Sequence, residues 1–447
     1  MTVPIPRPRG TSLGAVIRLS RDPLAALDDL RAECGDTWLV ELPFMSTVVL
    51  SDPAAIHTVL VKDFRHYRKD FFTRQLTPVL GEGLLLSEGD TWRRNRRLAQ
   101  PGFHAAAIRG YARAMAELTE SAIDGWGPRR ELDLHAEMMQ LTLRIVARTL
   151  FGHEIRDEAE VVGAALDVFM ETHRGVANTG FMLPPWLPTR SNHRHAAAVA
   201  AVDRVVYRMI DQHRADPDPN TLLGMLIAAT DDAGGLSDRE LRDEAVTLLM
   251  AGHETTAVAL TMALYLVSQH PNVEARLQAE VDAVLADRAP GLADLPQLPY
   301  VRAVIFEAMR LYPPVWSVGR EALCDTVIGD HAIPRGTHLW IAQWLTHRDP
   351  RWFADPLAFR PERWLDGTLE RSVPDGAFFP FGAGPRVCIG KRFAELEAIV
   401  VLAAIARRYA VRLAPGEALR LSPSITLRPE GGLRLVATAR DPIRRAA

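Results

Sequence analysis

Ten residues near the end of the chain combine a cysteine with the backbone freedom to present it. Phe381 to Gly390 reads Phe-Gly-Ala-Gly-Pro-Arg-Val-Cys-Ile-Gly. Three glycines and a proline exclude a regular helix or strand, so a tight loop is expected. Lys391 to Tyr409 then carries Phe393, Leu396, Ile399, Val400, Leu402, Ala403, Ile405 and Ala406 at helical spacing. Cys388 therefore stands where a loop meets a helix N-terminus, where unpaired N–H groups and the positive end of the dipole favour a thiolate. Three chemistries use such a group. A zinc site needs three further nitrogen or sulfur ligands, and no other Cys or His lies near in sequence. A nucleophile wants a histidine base, which could come from afar but has no signature here. An axial haem ligand needs only the one thiolate, with small residues beside it so that a porphyrin face can approach the backbone.

The order Phe381-x-x-Gly384-x-Arg386-x-Cys388-x-Gly390 resembles the cysteine loop of the cytochrome P450 family. The resemblance covers nearly the whole chain, because three further stretches match in the same order. One is Ala251-Gly252-His253-Glu254-Thr255-Thr256, in the middle of an otherwise apolar helical run. Polar groups at the centre of a buried helix are costly unless they are paired. A surface-facing patch would account for them, and His253 is read that way. The Ala-Gly-x-Glu-Thr-Thr order resembles the family's oxygen-binding motif. It implies that Gly252 permits a local widening of the helix that makes room for dioxygen. Thr255 would give dioxygen a hydrogen bond, while Glu254 would reach towards solvent and relay protons. These two are the catalytic candidates.

Trp92 and Arg96 lie four apart and so share a helix face. An indole N–H and a guanidinium can donate to one carboxylate, and Trp-x-x-x-Arg here resembles the family's propionate-binding helix. Arg93, Arg94 and Arg97 are expected to face solvent, where an acidic electron donor could meet them. Arg320 and Arg386 are implied as further propionate donors. Phe381, Gly382, Leu84 and Ala251 are implied to border the porphyrin. Leu85, Phe72, Ala251, Val315, Ser317, Val318, Ile425 and Thr426 are implied to line the substrate pocket. Glu307 and Arg310, three apart on one helix face, resemble the family's buried ion pair, with Arg363 of Phe359-Arg-Pro-Glu-Arg-Trp as third partner. The family's usual aromatic after that arginine is Phe; here it is Trp364. Taken alone, Glu-x-x-Arg is a common surface pair worth a few tenths of a kcal/mol.

The elements that must position these residues are legible in outline. A helix is expected at about Pro23 to Cys34, a hairpin over Thr37 to Ser51, and a short helix from Asp52-Pro53 to about Val61. Helices follow at Thr91–Gln100, Ile108–Gly125, Asp133–Phe151 and Glu158–Val176, and another ends at His213. Asn178 to Ser191 holds three prolines and a tryptophan, which excludes a helix interior and suggests either a lid at a lipophilic entrance or a packed-down tip. Ser237-Asp-Arg-Glu240 fits a capping box, behind which an apolar run reaches Gln269. That is roughly 45–50 Å of helix at about 1.5 Å per residue, enough to cross the molecule. The resemblance implies a mainly α fold with small β-sheets, in which haem b lies between this helix and the helix after Cys388. Residues 1–447 would form one unit behind a short proline-rich lead, 1–10.

Composition bounds the function. The hydrophobic share of 48% supplies a large core, and a net charge of −3 argues against nucleic-acid binding. Three scattered cysteines, Cys34, Cys324 and Cys388, do not make a disulfide framework and suit a reducing compartment. The opening residues carry no long apolar segment, so a cytoplasmic monomer without membrane anchor is expected. The expected activity is that of a haem-thiolate monooxygenase that hydroxylates or epoxidises a lipophilic small molecule with dioxygen. Electrons would come from a ferredoxin or flavodoxin with its NAD(P)H-dependent reductase, since no flavin or iron–sulfur segment is visible. A haem-thiolate peroxygenase or isomerase, or a non-enzymatic haem sensor, would need no Glu254–Thr255 pair.

Overall fold

The run behind Ser237 forms one unbroken helix, Asp238–Gln269, of 32 residues. Its start is the expected capping box: the Ser237 hydroxyl accepts from the Glu240 N–H, and the Glu240 carboxylate accepts from the Ser237 N–H at 2.8 Å. Apolar residues cover most of its circumference, which is why it is buried along nearly its whole length. Leu134–Leu150, capped by Asp133, lies along it, as do Pro299–Leu311 and the helix after the cysteine loop, Lys391–Arg408. The structure, a computed structural model, describes residues 2–42, 45–155, 157–179, 186–231 and 234–440.

Small sheets flank the helices, as the expected fold class requires. Thr37–Leu42 pairs antiparallel with Met45–Leu50, the expected hairpin. The sheet continues through His338–Ile341 and Val318–Ala322 to Tyr67–Arg68. Its register sets Arg320 opposite Leu339 and Arg68 opposite Glu321. A second sheet joins Tyr409–Leu413, Arg434–Ala439 and Arg129–Asp133. A two-stranded hairpin pairs Leu421–Pro423 with Leu427–Pro429. The expected helices are present with ends displaced by a few residues, among them Pro23–Cys34, Gly89–Ala99, Ala105–Asp124, Asp157–Thr179 and Arg190–Ala215. Helices Ser12–Arg21 and Pro271–Leu285 were not anticipated. Pro271 occupies the first turn of its helix, where a missing N–H costs nothing, so proline there starts an element instead of ending one. Of the expected lid, residues 180–185 lie outside the described residues, and Trp186 beyond them is exposed.

Candidate active site

The middle of the central helix exposes side chains where its flanks do not. Met250 and Ala257 to Leu260 are buried, yet Ala251 is exposed and Thr255 half-buried. Positions four apart share a face, so one face at the middle of this helix is left uncovered by the rest of the chain. Cys388 shows the same combination. Its side chain is accessible, while surrounding protein still pushes the thiol pKa up. Both hold for a sulfur recessed among protein atoms but not covered by them.

The cysteine loop is held by its own backbone. The Cys388 N–H donates to the Phe381 carbonyl at 2.9 Å, Val387 to Gly384 at 3.0 Å, and Gly382 to Phe379 at 2.8 Å. Burial is the largest influence on the thiol, opposed by the Gly390 N–H, Arg96 and Lys391. The helix terminus thus favours the thiolate, as expected, while burial acts more strongly against it. A bound metal ion would make it a thiolate, since a coordinating thiol is deprotonated outright.

Gly384 has φ +67°, and a Cβ there would stand 2.1 Å from the Leu60 carbonyl oxygen. This glycine is needed for approach to the protein's own backbone, a reason the sequence could not supply. Gly384→Ala is expected to destabilise the protein by a few kcal/mol, from about 1–2 kcal/mol of left-handed strain plus the clash. Gly382→Ala shares the strain (φ +73°) without the clash, its nearest neighbour being at 3.9 Å. Gly384→Ala should therefore lower the urea midpoint and the haem-to-protein ratio more; equal losses would remove the Leu60 contact as the cause.

Four cations gather beside this loop. Arg96 donates to the Val387 carbonyl at 2.9 Å. Arg386 stacks over the Trp92 ring at 4.2 Å, donates to the Ser87 carbonyl at 2.8 Å and pairs with Glu88. Arg320 reaches the carbonyl of Gly319 at 2.7 Å. Lys69 is the fourth, and the sequence reading missed it. It directly follows the strand residue Arg68, which pairs with Glu321, the neighbour of Arg320. Burial, then the charges of Arg320 and Arg386, hold its pKa well below the ordinary lysine value, and Glu88 and Asp70 are the carboxylates that oppose this. Burial likewise lowers Arg320 and takes Arg386 down to about 10. A half-buried set of four cations with so little negative charge suits a dianionic ligand, and the two propionates of a haem fit it. Of the other arginines, Arg93 and Arg97 are exposed, but Arg94 is not: it binds Asp231 at 3.0 Å and Glu240 at 2.9 Å.

The oxygen-motif residues are placed differently from expectation. The helix is α-helical throughout, with no widened turn. Gly252 instead faces Val146, whose Cγ2 would lie 3.2 Å from an added Cβ, so the glycine serves close packing against Leu134–Leu150. His253 is not at the surface. It is fully buried, its Nδ1 pairs with the Leu249 carbonyl at 2.8 Å, and burial lowers it to about 4. Thr255 donates to the Ala251 carbonyl at 2.9 Å on the accessible face. Glu254 does not reach solvent. It is buried, accepts a hydrogen bond from the Thr426 hydroxyl, and burial raises its pKa to about 7. Thr426 is thus buried and committed to Glu254 instead of facing the pocket. Of the other expected pocket residues, Leu85 is exposed, while Phe72, Val315, Ser317, Val318 and Ile425 are half-buried; Leu84 is buried. Glu397, also missed, lies fully buried in Lys391–Arg408 beside Thr256, and burial holds its carboxyl far above the usual range.

The ion network is as expected and better paired. Arg310 grips Glu307 through two bonds of 2.8 Å, Arg363 adds one at 3.1 Å, and the Arg360 N–H another at 3.0 Å. Trp364 contributes an indole N–H at 2.9 Å, a donor that Phe lacks. The remaining Arg310 hydrogens go to the carbonyls of His347, Pro356 and Ala358.

A cysteine loop leading into a helix that packs on the long helix, with a cation cluster beside the loop, is an arrangement that fits a haem-thiolate protein. The chain matches the family model described as Cytochrome P450 over residues 4–435, and it belongs to the cytochrome P450 family. It is 37% identical to cyclooctatin synthase of Streptomyces melanosporofaciens over 96% of this chain and 94% of that one. It is 38% identical to cyclooctat-9-en-7-ol 5-monooxygenase of the same organism, over 91% of this chain and 89% of that one. Pentalenene oxygenase of Streptomyces avermitilis is 32% identical over 97% and 98%. A crystal structure of a cytochrome P450 superimposes with TM-score 0.85 at 27% identity, covering 98% of this chain and 100% of that one. The protein is a monooxygenase of lipophilic molecules with haem b as cofactor, requiring dioxygen and an external electron supply. No helix among the described residues is long and apolar enough to cross a membrane.

Proposed function

We propose that this chain hydroxylates or epoxidises a cyclic terpenoid, with Cys388 as the haem ligand and Thr255 and Glu254 as the proton-handling pair. The observation that carries the assignment of roles is the accessible face of Ala251 and Thr255 in a helix buried on either side. The printed names of the relatives, pentalenene oxygenase and cyclooctat-9-en-7-ol 5-monooxygenase, support the substrate class. Haem b, when bound, supplies the activation of dioxygen with electrons delivered from outside. Lys69, Arg96, Arg320 and Arg386, with the Trp92 indole, would hold its propionates by charge and hydrogen bonds. Ala251 keeps that face flat, while Leu85, Phe72, Val315, Ser317, Val318 and Ile425 offer apolar and small side chains to a hydrocarbon skeleton. The Thr255 hydroxyl can give a hydrogen bond at the reacting face by releasing the Ala251 carbonyl. Glu254 is suited to hold and release a proton near neutral pH, where general acids work best. We assign residues 1–447 to one unit, supported by a hydrophobic core that runs from Val79 to Ala437. A cytoplasmic monomer fed by a ferredoxin or flavodoxin and its reductase is the setting proposed for it.

The test is product formed per NAD(P)H consumed, with surrogate redox partners and a panel of cyclic terpenes and terpene alcohols. Thr255→Ala is expected to keep most NAD(P)H consumption but divert the bulk of the electrons to hydrogen peroxide. Glu254→Gln should slow turnover, because proton delivery becomes limiting. Full coupling in Thr255→Ala would overturn the role given to its hydroxyl.

A further inference from the structure

The partner of Glu254 comes from a distant part of the chain. Thr426 sits in the turn of the hairpin Leu421–Pro423/Leu427–Pro429, and its hydroxyl donates to the Glu254 carboxyl where both side chains are buried. Two residues on, Arg428 reaches outward and pairs with Asp167 at 2.9 Å; Arg428 is largely buried and Asp167 exposed. Asp167 belongs to the helix Asp157–Thr179. The same hairpin touches that helix again, through the Ser424 hydroxyl on the Met170 carbonyl at 3.2 Å. It is fixed on its other side by the Leu427 N–H on the Pro314 carbonyl at 2.9 Å and the Trp316 indole on the Ser424 carbonyl at 2.8 Å.

We propose that Thr426 and Arg428 are positioning residues for Glu254: the hydroxyl fixes the direction of the buried carboxyl, and the Arg428–Asp167 pair connects it to solvent. The inference rests on the reading that Glu254 supplies protons for the reaction. A carboxyl in so apolar a place needs a fixed donor, or it is simply an unpaired buried acid. Thr426 is that donor, and it turns the carboxyl towards the hairpin. Thr255, the neighbouring residue, points about 100° away round a regular helix, so a proton must be handed between the two sides of one helical turn. Two charged groups, on two elements, act on the acid, and a neutral histidine stands near them on a third. Arg428 on the hairpin favours the carboxylate and Asp167 on the helix Asp157–Thr179 opposes it. His135, on the helix Leu134–Leu150, stands within the field of Arg428, Asp133, Asp167 and His253, and burial keeps both histidines neutral above about 4. Burial dominates, and the result is an acid that exchanges its proton at about pH 7. Since the hairpin is tied to the helix Asp157–Thr179 at two points, displacement of either would alter how the acid is held.

The test reads the acid directly in the haem-loaded protein. A pH titration by infrared difference spectroscopy follows the protonated-carboxyl band that is missing from Glu254→Gln. The parent midpoint is expected near 7. Thr426→Val removes a bond to the carboxylate and should raise proton affinity about tenfold, a shift of about one pH unit, while Thr426→Ser restores it. Arg428→Gln should shift the midpoint up, and Asp167→Asn, an exposed substitution that cannot unfold the core, should shift it down. Unchanged midpoints in Thr426→Val and Arg428→Gln would overturn the proposal. Midpoints that move while the pH profile of turnover stays fixed would uphold the positioning and remove Glu254 as the proton source.

Discussion

Cys388→Ser is expected to abolish the strongly red-shifted Soret band of the reduced, carbon monoxide-treated protein and to bring substrate oxidation to background. A serine hydroxyl keeps the size of the side chain but cannot supply the electron-rich sulfur that a thiolate ligand places under haem iron. The loop should survive the change, because its closing bonds, Cys388 N–H to Phe381 and Val387 N–H to Gly384, are made by the backbone. The cations Lys69, Arg96, Arg320 and Arg386 are also untouched, so haem content should fall far less than the band does. Cys34 ends the helix Pro23–Cys34, and Cys324 follows the strand Val318–Ala322; both are half-buried and remote in sequence from the loop. A variant lacking only those two should keep the band. Persistence of the band in a chain with all three cysteines replaced would place the ligand elsewhere.

Glu307→Gln should cost the protein about 3–5 kcal/mol, the usual loss when one member of a buried ion network is removed. The carboxylate is fully buried and answers two guanidiniums, an indole and a backbone N–H. Glutamine preserves the shape yet leaves Arg310, itself fully buried, without a compensating charge. Against the 5–15 kcal/mol that native proteins typically have in reserve, most of the margin disappears. The expected record is a much lower urea midpoint at similar slope, with poor yield of folded, haem-loaded protein. A midpoint equal to the parent's would mean that Arg310 and Arg363 are compensated elsewhere. Trp364→Phe removes one of the four donors and should cost only about 1–2 kcal/mol.

The helices were readable because their signals are local. Ser237 and Glu240 form a box within one turn, and the apolar run behind them continues for as long as the helix does. The hairpin Thr37–Leu42/Met45–Leu50 likewise follows from alternation in neighbouring residues. The sheet of Tyr409–Leu413, Arg434–Ala439 and Arg129–Asp133 was not readable, since it pairs Arg434 with Asp133 across some three hundred positions of sequence. Three side chains of the ion network, Glu307, Arg310 and Arg363, were named from the sequence, while the fourth, Trp364, read as a departure and proves to be a donor.

The sequence by itself determined the family, through the order of the Trp92, Ala251, Glu307 and Cys388 stretches, and with it the cofactor and the reaction class. These follow from residue types at short spacings, which a linear chain carries unaltered. Only the tertiary structure decided which way the polar residues of the central helix point. A helix fixes each side chain's angle but not what stands opposite, and the neighbours come from elsewhere: Val146 against Gly252, Thr142 on the His253 carbonyl, Thr426 on Glu254. So His253 and Glu254, both read as solvent-facing, are buried, and their proton affinities move in opposite directions for one reason: burial favours the neutral form of each, the free imidazole and the protonated carboxyl. Lys69 joined the cation cluster in the same way: it follows the short strand Tyr67–Arg68, in a stretch reading Tyr-Arg-Lys-Asp, and only the fold brings it within the field of Arg320 and Arg386.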